Sequence, residues 1–261
     1  MRHLDPQIAH VLASRIARVA TRPWVLMDVC GPQTHTLIRD GFEDLLLSGV
    51  ELLHGPGCPL CVTPLEVIDR AIGIAGLPGV ILASYGDMLR VPGSHSDLCE
   101  ARARGADVRV VHSPMDALDI ARENPERIVV FFGIGLETAA PSIAMALWQA
   151  RSERIVNFST LASHLLVPAA LRRILQLPGN RVQGFVAPGH ACTTMGCGEY
   201  RRLARDFHIP IVMGGFEAAD LLDSIFMLVT QLEEGRAEVE NQCYRSVEYE
   251  GNPTVQDTTS E

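Results

Sequence analysis

Short apolar runs rich in β-branched residues recur along this chain, most of them followed by a Gly/Pro loop and a helical stretch. That alternation constrains the fold more than any other feature. The runs are Trp24 to Val29, Val50 to Leu53, Val80 to Tyr85, Val108 to His112, Ile128 to Phe132, Ile155 to Phe158, Val182 to Val186 and Ile209 to Met213. Strands separated by helices pair in parallel, because each helix carries the chain back to the end of the sheet where the previous strand began. The predicted fold class is α/β, with two Rossmann-like parallel-sheet domains facing a central cleft. An amphipathic opening helix, with Ile8, Val11, Leu12, Ile16 and Val19 at helical spacing, fills residues 1–22. A first α/β domain is expected over 23–150, including helices at Thr36 to Ser48 and Glu137 to Ala150. The polar segment Arg151-Ser152-Glu153-Arg154 marks the boundary to a second domain, 151–250, with an edge strand at Val247 to Tyr249. Residues 251–261 read as a disordered tail.

Hydrophobic residues make up 47% of the 261 and charged ones 20%, the balance of an ordinary globular protein with ample core. A net charge of -9 without a basic patch argues against nucleic acid as a partner. Asp5, Arg15 and Arg18 interrupt the first twenty residues, so they lack the apolar core of a signal peptide, and no run reaches membrane-spanning length. The expected compartment is the cytoplasm. Seven cysteines, an odd number, then favour reduced thiols with metal or redox duties over a disulfide scaffold.

The densest chemistry lies in His54-Gly55-Pro56-Gly57-Cys58-Pro59-Leu60-Cys61. Its C-x-x-C spacing lets two thiols share one metal or one disulfide; the plainer reading is a pair of buried cysteines in a loop. Thr63-Pro64-Leu65-Glu66 behind it reads as a capping box, so a helix is expected just after Cys61, and a thiolate beside that helix start gains reactivity. Other loops follow strands: Cys30-Gly31-Pro32-Gln33-Thr34-His35, Tyr85 to Ser94, Gly133-Ile134-Gly135-Leu136-Glu137-Thr138, Pro188-Gly189-His190 and Gly214-Gly215-Phe216-Glu217. Glycines there let backbone amides approach a ligand at the carboxyl ends of the strands, where such sheets bind. Gly133-x-Gly135 lacks the third glycine of a dinucleotide fingerprint. Cys30, Cys58 and Cys61 could converge with His35 or His190, a soft donor set suited to zinc or iron. Glu137 and Glu217 also suit the first turn of a helix, and Cys192 and Cys197, spaced C-x-x-x-x-C, match no common ligand motif.

Taken in order, these loops resemble the hydrogenase maturation protein family HypD, from about Trp24 to Asn252. The resemblance runs through Asp28-Val29-Cys30-Gly31-Pro32-Gln33-Thr34-His35-Thr36, the His54 to Cys61 stretch, Tyr85 to Ser94, Gly133 to Thr138, Pro188-Gly189-His190 and Gly215 to Asp220. It implies a scaffold for the Fe(CN)2CO unit of nickel-iron hydrogenase. Iron would be held by Cys30 together with the N-terminal cysteine of a HypC-type chaperone. Cyanide would come from the HypE/HypF pair, and the finished unit would pass to the hydrogenase large subunit. Cys58 and Cys61 would act as a redox pair, with His190 and Glu137 in catalytic roles. His35, Gly133, Gly135, Gly189 and Glu217 would surround the bound group.

Three departures accompany the resemblance. Pro32-Gln33 stands where the family has a histidine, and Ala218 follows Gly215-Phe216-Glu217 where the family has proline. The chain also stops near the point, after Val239 to Gln242, where full-length members continue into a domain that binds a four-iron four-sulfur cluster, so no such cluster is expected in this chain. Two rival readings stand beside the scaffold: a thiol-disulfide oxidoreductase using Cys58 and Cys61, and a partner-binding paralogue without the chemistry.

Overall fold

The computed structural model of the chain describes residues 6–41, 46, 49–243 and 249–260. It is α/β, with one five-stranded and one four-stranded sheet, all of whose strand pairs are parallel. Each sheet belongs to its own Rossmann-like unit.

The first unit runs to Cys58 and resumes over Leu166–Pro253. Its sheet has the order β2-β1-β7-β8-β9: β1 is Trp24–Asp28, β2 Val50–His54, β7 Gly184–Pro188, β8 Ile211–Gly214 and β9 Val239–Asn241. Helix α1 (Pro6–Val19) buries Ala9, Ala13 and Ile16, a stripe at helical spacing. Helix α11 (Ala218–Glu233) buries Leu221, Leu222, Ile225, Leu228 and Val229. Both stripes meet Leu26, Val186 and Val212 of the sheet in one core, each fully buried Leu or Ile contributing about 1.5–3 kcal/mol. Glu233 ties the end of α11 to the start of β1, accepting from Thr21 N at 2.7 Å and Trp24 Nε1 at 2.7 Å.

The second unit is Pro59–Leu165 with the terminal stretch from Thr254. Its sheet order is β4-β3-β5-β6, where β3 is Val80–Ser84, β4 Val108–Val110, β5 Ile128–Leu136 and β6 Phe158–Leu165. Successive side chains of a strand face opposite ways, and both faces here are apolar. Leu82, Val130 and Phe132 pack with Ile68 and Ala71 of α4 (Leu65–Ala75) and Leu98 of α5 (Leu98–Ala103). Ile81, Ala83, Val129 and Phe131 pack with Leu118 and Ala121 of α6 (Pro114–Glu123) and Ile143 and Ala146 of α7 (Ala140–Ser152). A capping box of Ser113 and Asp116 starts α6.

The division at residues 150/151 is not formed. The strand after Arg154 pairs with β5, Val129 opposite Phe158, and so completes the second sheet, while β1 pairs with β7 far along the chain, Leu26 opposite Gly184. Order along the chain does not fix order in a sheet. That strand also begins at Phe158 rather than Ile155. Helix α2 spans Gly31–Arg39, earlier than Thr36 to Ser48, and the chain turns at Gly41 with φ 68; residues 42–45 and 47–48 lie outside the described part. The tail expected to be disordered forms α12 (Pro253–Ser260), started by a proline whose fixed φ suits a first helical position. The expected edge strand at Val247 to Tyr249 lies outside the described residues except for Tyr249, which sits in a turn. Among the described residues no helix is long and apolar enough to cross a membrane.

Candidate functional site

At the end of β1 the chain passes through Cys30 into α2. Cys30 is the N-cap in an extended conformation, φ -143 and ψ 117, and Pro32 occupies the first turn, where an amide hydrogen would have no helical partner. The thiol is therefore held at a helix N-terminus, and it is only 2% exposed. Burial pushes its pKa up to about 11, partly offset by the Gln33 backbone N–H and reinforced by the negative charge of Asp28. The resting group is therefore a thiol rather than a thiolate.

Asp28, the last residue of β1, is completely buried. The parallel register sets it opposite His54, whose Nδ1 meets Oδ1, while Thr34 Oγ1 donates to Oδ2. Burial raises the carboxyl pKa, and the Thr34 and His54 contacts only moderate that rise. The His54 side chain is 31% exposed, so it connects the buried carboxylate to solvent.

The loop after β2 lies directly against Cys30. Gly55 N donates to Asp28 O at 2.7 Å, and Gly31 N donates to Gly57 O at 3.1 Å. A Cβ on Gly57 would sit 2.4 Å from Gly31 N and 2.6 Å from the Cys30 carbonyl carbon, so only glycine fits. Half-buried Cys58 follows immediately and closes the first unit's opening segment. The exposed Cys61 lies on α3 (Pro59–Val62), a single helical turn assigned to the second unit. The expected capping box is not made: Thr63 Oγ1 donates to Pro59 O at 2.8 Å, and Pro64 is the N-cap of α4.

A third wall comes from β8. Gln33 is fully buried, and its Nε2 donates to the carbonyls of Gly214 and Gly215, both at 3.0 Å. Its Oε1 is buried without a hydrogen-bond partner. Thr36 Oγ1 donates to Phe216 O at 3.2 Å, and Gly215 N donates to Gln242 Oε1 at 3.2 Å. The Phe216 ring lies 5.1 Å from that of His190, on α9 (Gly189–Met195), and desolvation lowers the His190 pKa. Gly189 is buried at the start of α9, Glu217 is the exposed N-cap of α11, and His35 is exposed on α2.

The structure thus brings Cys30, the Gly57-Cys58 segment and the Gln33 clamp together, with Gly189, His190 and Glu217 on adjoining strand ends. Gly133, Gly135 and Glu137 belong to the second unit. The two glycines lie within β5 rather than in a loop, opposite Ala162 and His164 of β6. A Cβ on Gly135 would meet the Ala139 Cβ at 2.3 Å, so close packing accounts for that glycine. Glu137 is 4% exposed in a short 3-10 turn, Glu137–Ala139. Nearby on β6, His164 has a buried Nε2 without a hydrogen-bond partner. Among the described residues no group of three or more His, Cys, Asp or Glu side chains is arranged to hold a metal ion. Sequence reasoning missed the Asp28–His54 pair and His164. Asp28 carried a signal, being the single charge within the apolar run from Trp24 to Val29.

The family model HypD, described as hydrogenase formation hypA family, matches residues 7–261. Among curated proteins, hydrogenase maturation factor HypD of Rhodobacter capsulatus is 46% identical over 95% of this chain and 68% of its own length. The proteins of the same name from Escherichia coli and Azotobacter vinelandii are 46% and 48% identical over 94% and 95% of the chain, covering 65% and 68% of their own lengths. The chain therefore spans about two thirds of the length of these relatives. Among solved structures, a conserved domain protein from Vibrio cholerae aligns over 92% of this chain and 95% of its own, at 11% identity and a TM-score of 0.19, too slight a likeness to bear on the fold.

Proposed function

Because the chain belongs to the HypD hydrogenase-maturation family, we propose that it is a scaffold for assembling the Fe(CN)2CO unit of nickel-iron hydrogenase, with Cys30 holding the iron jointly with a HypC-type chaperone. The observation that carries this reading is the setting of Cys30: a buried thiol at a helix N-terminus, walled by the Gly57 backbone and backed by a buried carboxylate. A soft thiolate suits iron carrying strong-field ligands, and a site with one protein ligand leaves room for a partner's cysteine. The Asp28–His54 pair beside Cys30 links this buried end of the sheet to solvent and supports a route by which the thiol proton leaves.

Cys58 and Cys61 serve as an electron store, since closing to a disulfide releases two electrons and two protons and reopening takes them back. Cyanide arrives from a HypE/HypF-type donor, and the finished unit leaves for the hydrogenase large subunit in the cytoplasm. His190, whose pKa desolvation lowers, and the buried Glu137 are further candidate proton-handling groups, while the backbone around Gly189 and Glu217 offers N–H donors to cyanide nitrogens.

Anaerobic purification with a HypC-type partner and metal analysis tests this. Iron should accompany the wild-type complex and the Cys58→Ser complex, and should be lost from Cys30→Ser although the partner still binds. Iron retained in Cys30→Ser overturns the assignment. A thiol-disulfide oxidoreductase would instead reduce a disulfide substrate without iron and lose that activity in Cys58→Ser. A paralogue without the chemistry would bind the partner and do neither.

A further inference from the structure

Two cysteines that match no ligand spacing meet in the fold. Cys192 lies on α9 and Cys197 just beyond its end, and both are 0% exposed. Gly196, with φ 78, reverses the chain between them while its N–H bonds Cys192 O at 2.9 Å. That reversal returns Cys197 beneath the last helical turn, and the two thiols come into hydrogen-bond contact. Cys192 Sγ also lies 3.2 Å from Met213 Sδ on β8, so the pocket is lined by sulfur and apolar groups.

A short strap covers this pair. Cys197 N donates to Tyr249 O at 2.8 Å, and Asn252 N donates to Thr194 O at 3.1 Å. Arg201 stacks over the Tyr249 ring at 4.7 Å and pairs with the exposed Glu250 at 3.5 Å. A Cβ on Gly196 would meet the Glu250 backbone at 2.8 Å, so the strap rests on the turn itself. The strap is held through its backbone and through side chains at the surface, and a short surface segment of this kind opens locally without global unfolding.

We propose that Cys192 and Cys197 form a second redox-active thiol pair, closing to an intramolecular disulfide by exchange with a small disulfide such as oxidised glutathione when the Tyr249–Asn252 strap lifts. Cys197 is the attacking group, since the Cys192 hydrogen bond, aided by the Arg201 charge, lowers its pKa against the opposing effects of burial and of Glu250. Its thiolate attacks one glutathione sulfur, forming a mixed disulfide and releasing one glutathione thiolate, which takes up a proton. Cys192 then loses its proton, attacks the Cys197 sulfur and expels the second glutathione. The protein loses two thiol hydrogens, and one oxidised glutathione becomes two reduced molecules. None of these steps involves Cys30, Cys58 or Cys61.

Both cysteines lie between Arg181 and Arg201 with no Lys or Arg between, so trypsin releases them on one peptide. The full chain is equilibrated in oxidised glutathione, blocked with N-ethylmaleimide, digested and weighed. The expected peptide, Val182 to Arg201, carries no maleimide and is lighter by two hydrogens, and reductant restores both labelling sites. Cys192→Ser and Cys197→Ser should each leave an unclosed peptide, Cys192→Ser with glutathione on the remaining thiol. Urea too dilute to change the circular dichroism should speed closure. The proposal is overturned if both thiols remain maleimide-reactive after equilibration in that urea, if either pairs with another cysteine, or if a chelator restores labelling without any mass loss, which would mark a bound metal.

Discussion

Gly57→Ala isolates the contact on which the site geometry depends. The added Cβ would lie 2.4 Å from Gly31 N, 2.6 Å from the Cys30 carbonyl carbon and 2.7 Å from Cys30 Cα, whereas ordinary contact begins near 3.4 Å. All three neighbours are backbone, so no side chain can swing aside, and the loop must retreat by about 1 Å. Retreat breaks the Gly31 N to Gly57 O bond of 3.1 Å. The lost hydrogen bond costs about 1 kcal/mol and the overpacking ~1–3 kcal/mol. Stiffening of the unfolded chain by alanine returns ~0.5–1 kcal/mol, leaving a net destabilisation of roughly 1–3 kcal/mol. At ~2–4 °C per kcal/mol for a chain of this size, melting should fall by roughly 2–12 °C in scanning calorimetry. The matched control is Gly73→Ala in α4, where a Cβ meets nothing within 4 Å; it should stabilise by about 0.5–1 kcal/mol. Gly57→Ala should also expose the Cys30 thiol to alkylation. A Gly57→Ala protein that melts with the wild type and keeps Cys30 protected would refute the claim that this loop walls the thiol.

Gln33→Ala removes two buried hydrogen bonds of 3.0 Å and strands the Gly214 and Gly215 carbonyls, which should cost about 2–3 kcal/mol in urea unfolding. Asp107 joins Arg109 and Arg127, at 3.0 and 2.6 Å, and its pKa is lowered first by the Arg109 hydrogen bond. A depressed folded pKa gives stability that is present above the unfolded carboxylate pKa and lost as pH falls through the folded one. Asp107→Asn should therefore cost about 1 kcal/mol at neutral pH and nothing in strong acid, read from unfolding curves across pH. With its pKa near 11, Cys30 should alkylate at a rate that is still rising above pH 9, and Asp28→Asn, which removes a neighbouring negative charge, should move that profile to lower pH.

Sequence patterning reached the fold class because parallel strands buried on both faces read as continuous apolar runs, and β3 and β5 are such runs. It missed the partition of the chain because nothing local tells β6 to join β5, or β7 to join β1. Cys30 and the Gly55-to-Cys58 loop were legible as chemistry, since glycine, proline and cysteine crowd there with little other purpose. Their mutual approach was not, because the Gly31 to Gly57 hydrogen bond joins residues whose nearness depends on strand register. Gly133 and Gly135 were expected in a loop and lie within β5, because a glycine that packs closely inside a strand looks the same in sequence as one in a turn. Cys192 and Cys197 were passed over because a pair formed across a left-handed glycine has no characteristic spacing.

Infrared spectroscopy of the anaerobic complex with a HypC-type partner tests the proposal that Cys30 holds the iron. The wild-type complex should show stretching bands of iron-bound cyanide and carbonyl, and Cys30→Ala, still bound to its partner, should show neither. Bands that persist unchanged in Cys30→Ala would contradict the account.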